Sequence, residues 1–333
     1  MKNKVVFSEV LFPDLKIEEK ILEQVDAEVV GGACKTEDDL VKLAKDADAV
    51  VTFAFKPVSA RVLAGLRKCK IVVRGGIGVD TVDIPAATGQ GIIVANVPRY
   101  CVEEVSNLSI AMMLSLLHKI PVAMKHTSRG VWDYKVVKPI RSLWALTVGI
   151  VGFGNIGRAS ARKAAAFGMK VIVHDPYLKD KKSAEASGAR LVELDDLLAE
   201  ADAILLHAPA TADTYHIINR ETLKKVKRGC MLVNAARGQL VDTVALVEAL
   251  ENGTLSGAGL DLIENVPPLP KDHPLLGFEN VIITPYYAWY TEDSGLVLRK
   301  TIANEIVRVL SGQYPEAIVN SDVKINARAG KLK

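Results

Sequence analysis

A chain of 333 residues exceeds the usual size of one core, so two domains are expected. Hydrophobic residues at 49% and charged residues at 24% describe an ordinary globular protein. With 42 Lys plus Arg against 39 Asp plus Glu, a net charge of +3 and no basic run interleaved with aromatics, nucleic acid is excluded as the expected partner.

The amino-terminal "MKNKVVFSEVLFPD" meets Glu9 and Asp14 too soon for a signal-peptide core, so secretion is not expected. From 4 to 98, the runs "KVVF", "AEVV", "AVVTFAF", "KIVVRGG" and "IIVANV" alternate with the helical patterns "IEEKILEQV", "TEDDLVKLAKDA" and "SARVLAGLR". Short, continuously apolar runs separated by amphipathic helices predict parallel strands covered on both faces. A long helix follows over about 102–118, with Pro121 marking a turn or kink near its end. Its stretch "LSIAMMLSLLHKI" is interrupted by polar residues and too short to span a bilayer, so no membrane partner is expected. Cys34, Cys69, Cys101 and Cys230 lie far apart with no C-x-x-C and no matched His spacing; neither a disulfide framework nor a metal site is expected, and a reducing cytoplasm is.

A second alternation runs through "LTVGIVGFG", "KVIVHD", "AILLHAPA", "CMLVNAAR", "LSGAGLDLI" and "NVIITP", with "DTVALVEALENG" among the helices between. The last amphipathic helix, "EDSGLVLRKTIANEIVRVLSG" at 292–312, has no strand after it and is expected to return to the first domain. The fold class is therefore α/β: two Rossmann-like, doubly wound parallel-sheet domains, spanning 1–101 plus 290–333 and 102–289.

Gly152, Gly154 and Gly157 have G-x-G-x-x-G spacing after the strand "TVGIV", and a helix opens near Asn155. The first two glycines permit a tight turn and close backbone approach to a pyrophosphate at a helix N-terminus; the third lets helix and strand pack closely. Asp175 closes the next strand, 23 residues after Gly152. Its carboxylate suits ribose hydroxyls and repels a 2′-phosphate, which favours NAD over NADP. Near the other end, "ITPYYAWYT" gathers Tyr286, Tyr287, Trp289 and Tyr290 within five positions of a chain with 7 Phe, 8 Tyr and 3 Trp.

The ordered segments "RGGIGVDTVDIPAATGQGIIVANVPRYCVEEV", the glycine motif, "NAARGQLVDTVALVEAL", "GAGLDLIENVPPLPKDHPLL" and "NVIITPYYAWYT" resemble the D-isomer-specific 2-hydroxyacid dehydrogenases over essentially the whole chain. The "AWY" ending is similar to the branch that contains the C-terminal-binding-protein corepressors. The resemblance implies two Rossmann-like domains with a cleft between them, and a homodimer joined through the cofactor domain and the helix after residue 100. It places NAD contacts on Asn155, Ile156, Asp175, His207 to Pro209, Thr214, Ala235, Ala236, Arg237 and Asp261. It also places the substrate carboxylate on the loop Gly75, Gly76, Ile77 and Gly78, where backbone amides in a nest suit an anion. Arg74 precedes that loop and is read either as its helper or as a surface salt-bridge partner. Arg237 matches the family's catalytic arginine, whose planar fork binds a carboxylate and polarises a neighbouring carbonyl.

The chain departs from the family at the proton-transfer pair. Where the family has a glutamate before a proline, "DLIENVPP" has Val266; where it has the histidine of T-P-H, "ITPYYAW" has Tyr286. His118, His126, His174, His216 and His273 occupy no motif position facing substrate, and His207 is the weaker substitute because it must also come within hydrogen-bond reach. Tyr286 is then the candidate donor. A phenol is protonated at pH 7, and Arg237 beside it would favour proton loss, whereas deprotonating an unshifted phenol costs about 4 kcal/mol. Reduction is thus the favoured direction, on a small carboxylic acid, with Trp289 as a pocket wall. The alternatives are an NAD(H)-responsive binding protein or pseudoenzyme, and an NAD-linked reaction on a substrate other than a 2-oxo acid.

Overall fold

The computed structural model describes residues 2–178, 182–325 and 328–333. By internal contacts the chain divides into Met1–Tyr100 with Thr291–Lys333, and Cys101–Tyr290.

In the first unit the apolar runs become strands: β1 (Asn3–Phe7), β2 (Ala27–Gly31), β3 (Ala49–Thr52), β4 (Ile71–Arg74) and β5 (Ile93–Ala95). Helices α1 (Lys16–Leu22), α2 (Glu37–Ala44), α3 (Ala60–Gly65) and α4 (Ile84–Gly89) connect them. All pairings are parallel, in the order β2-β1-β3-β4-β5. Every residue of β3 and β4 is buried, as expected of central strands with helices on both faces. Helices start where the sequence offers caps: Thr36 accepts from the Asp39 amide and Asp39 returns the bond, while Ser59 and Asp83 cap α3 and α4.

In the second unit, α5 (Val102–Leu117) and α6 (Ile120–Ser128) precede the sheet. They meet at 60°; Lys119 between them is left-handed, and Pro121 sits in the first turn of α6. The proline expected near the end of one helix therefore opens the next, where its missing N–H costs nothing. Among the described residues no single helix is long and apolar enough to cross a bilayer.

There follow β6 (Thr147–Val151), α7 (Asn155–Ala166), β7 (Lys170–His174), α8 (Lys182–Glu185), β8 (Ala189–Leu191), α9 (Leu194–Glu200) and β9 (Ala203–Leu206). Then come α10 (Arg220–Leu223), β10 (Cys230–Asn234), α11 (Thr243–Glu251), β11 (Leu255–Leu260) and β12 (Val281–Ile283). The strands form one parallel sheet in the order β12-β11-β10-β9-β6-β7-β8. The sequence pattern shows six of these seven strands. It misses β8 because three residues at a sheet edge, only one of them buried, leave no apolar run. The order of connection reverses between β6 and β9, and a ligand crevice is expected beyond the carboxyl ends of strands at such a point.

The last helix, α12 (Glu292–Leu310), is capped by Thr291 and packs in the first unit against α1 and β4. Arg299 fixes it there: its Nε donates to Glu18 Oε1 at 2.8 Å and its Nη2 to Glu18 Oε2 at 2.6 Å, with both residues buried. A bidentate pair of this kind satisfies two buried charges at once.

Candidate active site

Gly152 follows β6 with φ of +93°, and an added Cβ would lie 2.6 Å from the Ala208 nitrogen. At Gly157 it would lie 2.1 Å from the Gly152 carbonyl oxygen, whereas at Gly154 it would meet open space. The outer two glycines are therefore required by close packing, and the middle one borders open space. The first-turn amides of α7, at Asn155 and Ile156, belong to the unpaired N–H groups that every helix start presents. Asp175 lies just beyond β7. Its Oδ2 accepts from the Phe153 amide at 2.8 Å and its Oδ1 from the Tyr177 amide at 3.0 Å, which ties the glycine loop to the next turn. A carboxylate has about four acceptor positions, so capacity remains for ribose hydroxyls. The open space at Gly154, the helix start and the acid fit a dinucleotide.

Across the loop from Asp175, the segment after β9 carries His207, Pro209 and Thr214. Thr214 Oγ1 donates to the Pro209 carbonyl at 2.6 Å and accepts from the Thr211 amide at 2.8 Å, closing the loop on itself. The His207 ring is enclosed although the residue as a whole keeps partial exposure. Nε2 lies 2.9 Å from Ser160 Oγ, and Nδ1 has no partner among the described residues. Burial pushes its pKa down to about 4, so it is neutral at pH 7 and unsuited to act as an acid. The same loop carries Asp213, whose Oδ2 accepts from the Tyr177 phenol at 2.7 Å and holds that phenol's pKa above its ordinary value.

After β10, the fully buried Asn234 shapes the Ala235–Arg237 turn. Its Oδ1 accepts from the Ala236 amide at 3.0 Å and its Nδ2 donates to the Arg237 carbonyl at 2.8 Å. Asn234 lies inside the "NAARG" motif, and that is the signal by which it can be found. The Arg237 side chain is half-buried and donates from Nη1 to the Ala236 carbonyl at 2.7 Å.

Asp261, just beyond β11 and 2% exposed, organises the aromatic segment. Its Oδ1 accepts from Thr284 Oγ1 at 2.6 Å and the Tyr287 amide at 3.1 Å, and its Oδ2 from the Ala288 amide at 2.9 Å. Burial raises the Asp261 pKa while these donors oppose the rise. Its backbone carbonyl accepts from the Tyr286 amide at 3.0 Å. Tyr286 itself has φ of +55°, a left-handed conformation rare for a bulky residue. Trp289 closes the turn: its indole N–H donates to the Tyr286 carbonyl at 3.0 Å, and its ring meets Tyr290 edge-on at 5.4 Å. Tyr287 and Tyr290 are exposed, so the aromatic cluster is a braced turn rather than a core.

Val266 packs against the apolar core of this unit, followed by cis bonds to Pro267 and from Pro267 to Pro268. Two residues earlier, Glu264 makes contacts that no motif announces. His216 Nε2 lies 2.9 and 3.0 Å from its two oxygens, and Tyr215, stacked on His216 at 4.0 Å, donates its phenol at 3.1 Å. His216, read from sequence as a loop residue, thus joins the loop after β9 to the loop that carries Val266.

Arg74 to Gly78 lie in the other unit, at the end of β4. Arg74 is 4% exposed, which rules out the surface salt-bridge reading. Its Nη1 donates to the Gly75 carbonyl at 3.2 Å, its Nε is enclosed without a partner, and no carboxylate pairs with it among the described residues. Gly76 has a φ of +151°, which residues with a side chain rarely adopt, and an added Cβ would also displace the Arg74 guanidinium, whose Nη1 lies 1.6 Å from that position. The amides of Gly75 and Gly76 are taken by the Thr52 and Arg74 carbonyls, both at 2.8 Å. Those of Ile77 and Gly78 make no bond within the described residues, which narrows the expected four-amide nest to two donors.

A model of the D-isomer specific 2-hydroxyacid dehydrogenase NAD binding domain matches residues 110–288. The chain is 40% identical over 316 residues to D-3-phosphoglycerate dehydrogenase of Methanocaldococcus jannaschii, covering 94% of this chain but only 59% of that relative. With glyoxylate reductase of Korarchaeum cryptofilum it shares 34% identity over 287 residues, 85% of this chain and 86% of the other. Among solved structures, D-lactate dehydrogenase of Aquifex aeolicus, in complex with NAD and lactic acid, superposes with a TM-score of 0.84 at 29% identity, covering 96% and 99% of the two chains.

Proposed function

The chain belongs to the D-isomer-specific 2-hydroxyacid dehydrogenase family, and on that premise we propose that it interconverts a small 2-oxo acid and its D-2-hydroxy acid with NAD as cofactor, better as a reductase. The observation that carries the substrate class is Arg74. A guanidinium this deeply buried, with an enclosed Nε and no carboxylate paired with it among the described residues, is costly unless an anion completes it. With the amides of Ile77 and Gly78 it forms the seat we assign to the substrate carboxylate.

The glycine loop, the start of α7 and Asp175 would hold NADH, which would supply the hydride. Arg237, presented by the Asn234-braced turn, is assigned to polarise the substrate carbonyl. Tyr286 is assigned to give up the proton. Its left-handed backbone, fixed by Asp261 and Trp289, supports this role, since strained conformations persist where the surroundings over-determine them and gather at functional sites. A phenol carries its proton at neutral pH and so suits reduction, whereas oxidation would need it as phenolate. The half-buried Trp289 is assigned both to bracing this turn and to walling the pocket.

The test is NADH oxidation against a panel of small 2-oxo acids. Tyr286→Phe is expected to lower kcat by about 100-fold with little change in KM, and Arg237→Ala to lower kcat/KM by at least as much. An unchanged Tyr286→Phe rate removes the phenol as donor. Tight NADH binding with no acid reduced leaves an NAD(H)-responsive binding protein, the reading that the loss of both family proton-transfer residues, at Val266 and Tyr286, favours. Cys34, Cys69, Cys101 and Cys230 are all buried and form no disulfide among the described residues, which supports a reducing cytoplasm as the place of action.

A further inference from the structure

Between β7 and β9 lies β6, the strand that delivers the glycine loop. Neighbouring strands are about 4.8 Å apart, so the segments that follow β7 and β9 flank that loop from opposite sides at roughly twice this spacing. Among the described residues one hydrogen bond crosses the gap, from the Tyr177 phenol after β7 to Asp213 after β9, 2.7 Å long. Both ends are held. The Tyr177 amide donates to the same Asp175 carboxylate that anchors the glycine loop, and Asp213 stands in the turn that Thr214 closes.

We propose that Tyr177 and Asp213 form a clasp over the adenosine half of the cofactor, so that the cofactor leaves only when this hydrogen bond opens. The inference rests on the NAD reading and adds to it two residues that the glycine motif does not identify. An exposed tyrosine–aspartate bond contributes little to stability in most settings. Here its position decides its effect, because the bond spans the crevice at the point where the sheet order reverses. The dinucleotide's nicotinamide end owes nothing to it.

The experiment is stopped-flow release of NADH from the full chain, followed by its fluorescence. Tyr177→Phe and Asp213→Ala are each expected to speed release by about three- to tenfold, and the double variant no more than either single one, since they share one bond. ADP-ribose is expected to leave the same variants faster by the same factor, and the affinity for nicotinamide mononucleotide to stay as in the parent. NADH that binds but leaves the single variants at the parental rate overturns the clasp, as do additive single effects or an equal loss for nicotinamide mononucleotide. A parent chain that binds neither NADH nor ADP-ribose overturns the cofactor reading itself, and the clasp with it.

Discussion

His207 shows what a motif leaves unsaid about one side chain. It stands two residues before Pro209, just after a strand, and its ring is enclosed with Nε2 at 2.9 Å from Ser160 Oγ. Because burial lowers its pKa from 6.5 to about 4, the unfolded chain takes up a proton between those values and the folded chain does not. The sign follows. This contribution to stability is fully present above pH 6.5 and is lost as pH falls toward 4, by up to about 3 kcal/mol. Thermal melts at pH 7.5 and 5 should show the drop, and His207→Gln, which can still bond Ser160, should shrink it. A drop of the same size in both proteins assigns it elsewhere. Arg74 was equally opaque in the sequence, where a charged residue at a strand end suggests the surface. Its burial follows from β4 being a central strand whose end turns back through Gly76.

At the level of elements, strands and helices were legible wherever a run was long enough to show its period. The pattern locates β6, the glycine loop and α7 in succession, and it locates Asp175 just beyond β7. It fails at β8, which is too short, and at the α5–α6 break, where a left-handed Lys119 changes direction one residue before the next helix begins. Loop-to-loop contacts were not legible at all, because they depend on the register of whole strands. Glu264 and His216 stand 48 positions apart, yet they join two loops that border the Arg237 turn: the His216 amide donates to the Gln239 carbonyl, and Gly238 lies against Ile263 and Glu264. Glu264→Ala and His216→Ala should each lower unfolding free energy by about 1–2 kcal/mol, and the double variant by clearly less than their sum. Strict additivity in denaturant titrations would mean that the pair does not hold the loops together.

For the molecule as a whole, two sheets of parallel strands follow from the two alternations of apolar run and helix, and both are present. What composition could not show is where apolar side chains are left uncovered. Trp132 at 93% exposure, Trp144 at 72%, Tyr134 at 68% and Met124 at 65% fall within one stretch that begins in α6. So much aromatic and sulfur surface in one segment is unusual for a lone chain, and we propose that this stretch is the interface of the homodimer that the family resemblance implies. Sedimentation should give twice the chain mass, and Trp132→Asp with Trp144→Asp should give single chains that still bind NADH. A parent protein that sediments as one chain removes the dimer.

The packing of Val266 against the apolar core also bears on how such a chain can change over time. Restoring a glutamate at Val266 alone would press a carboxylate against hydrocarbon with no imidazole to meet it. A histidine at Tyr286 alone would set an imidazole in a left-handed turn without the carboxylate that would pair with it. Each single change is thus expected to cost more stability than the two made together, which melts of Val266→Glu, Tyr286→His and the double variant would check.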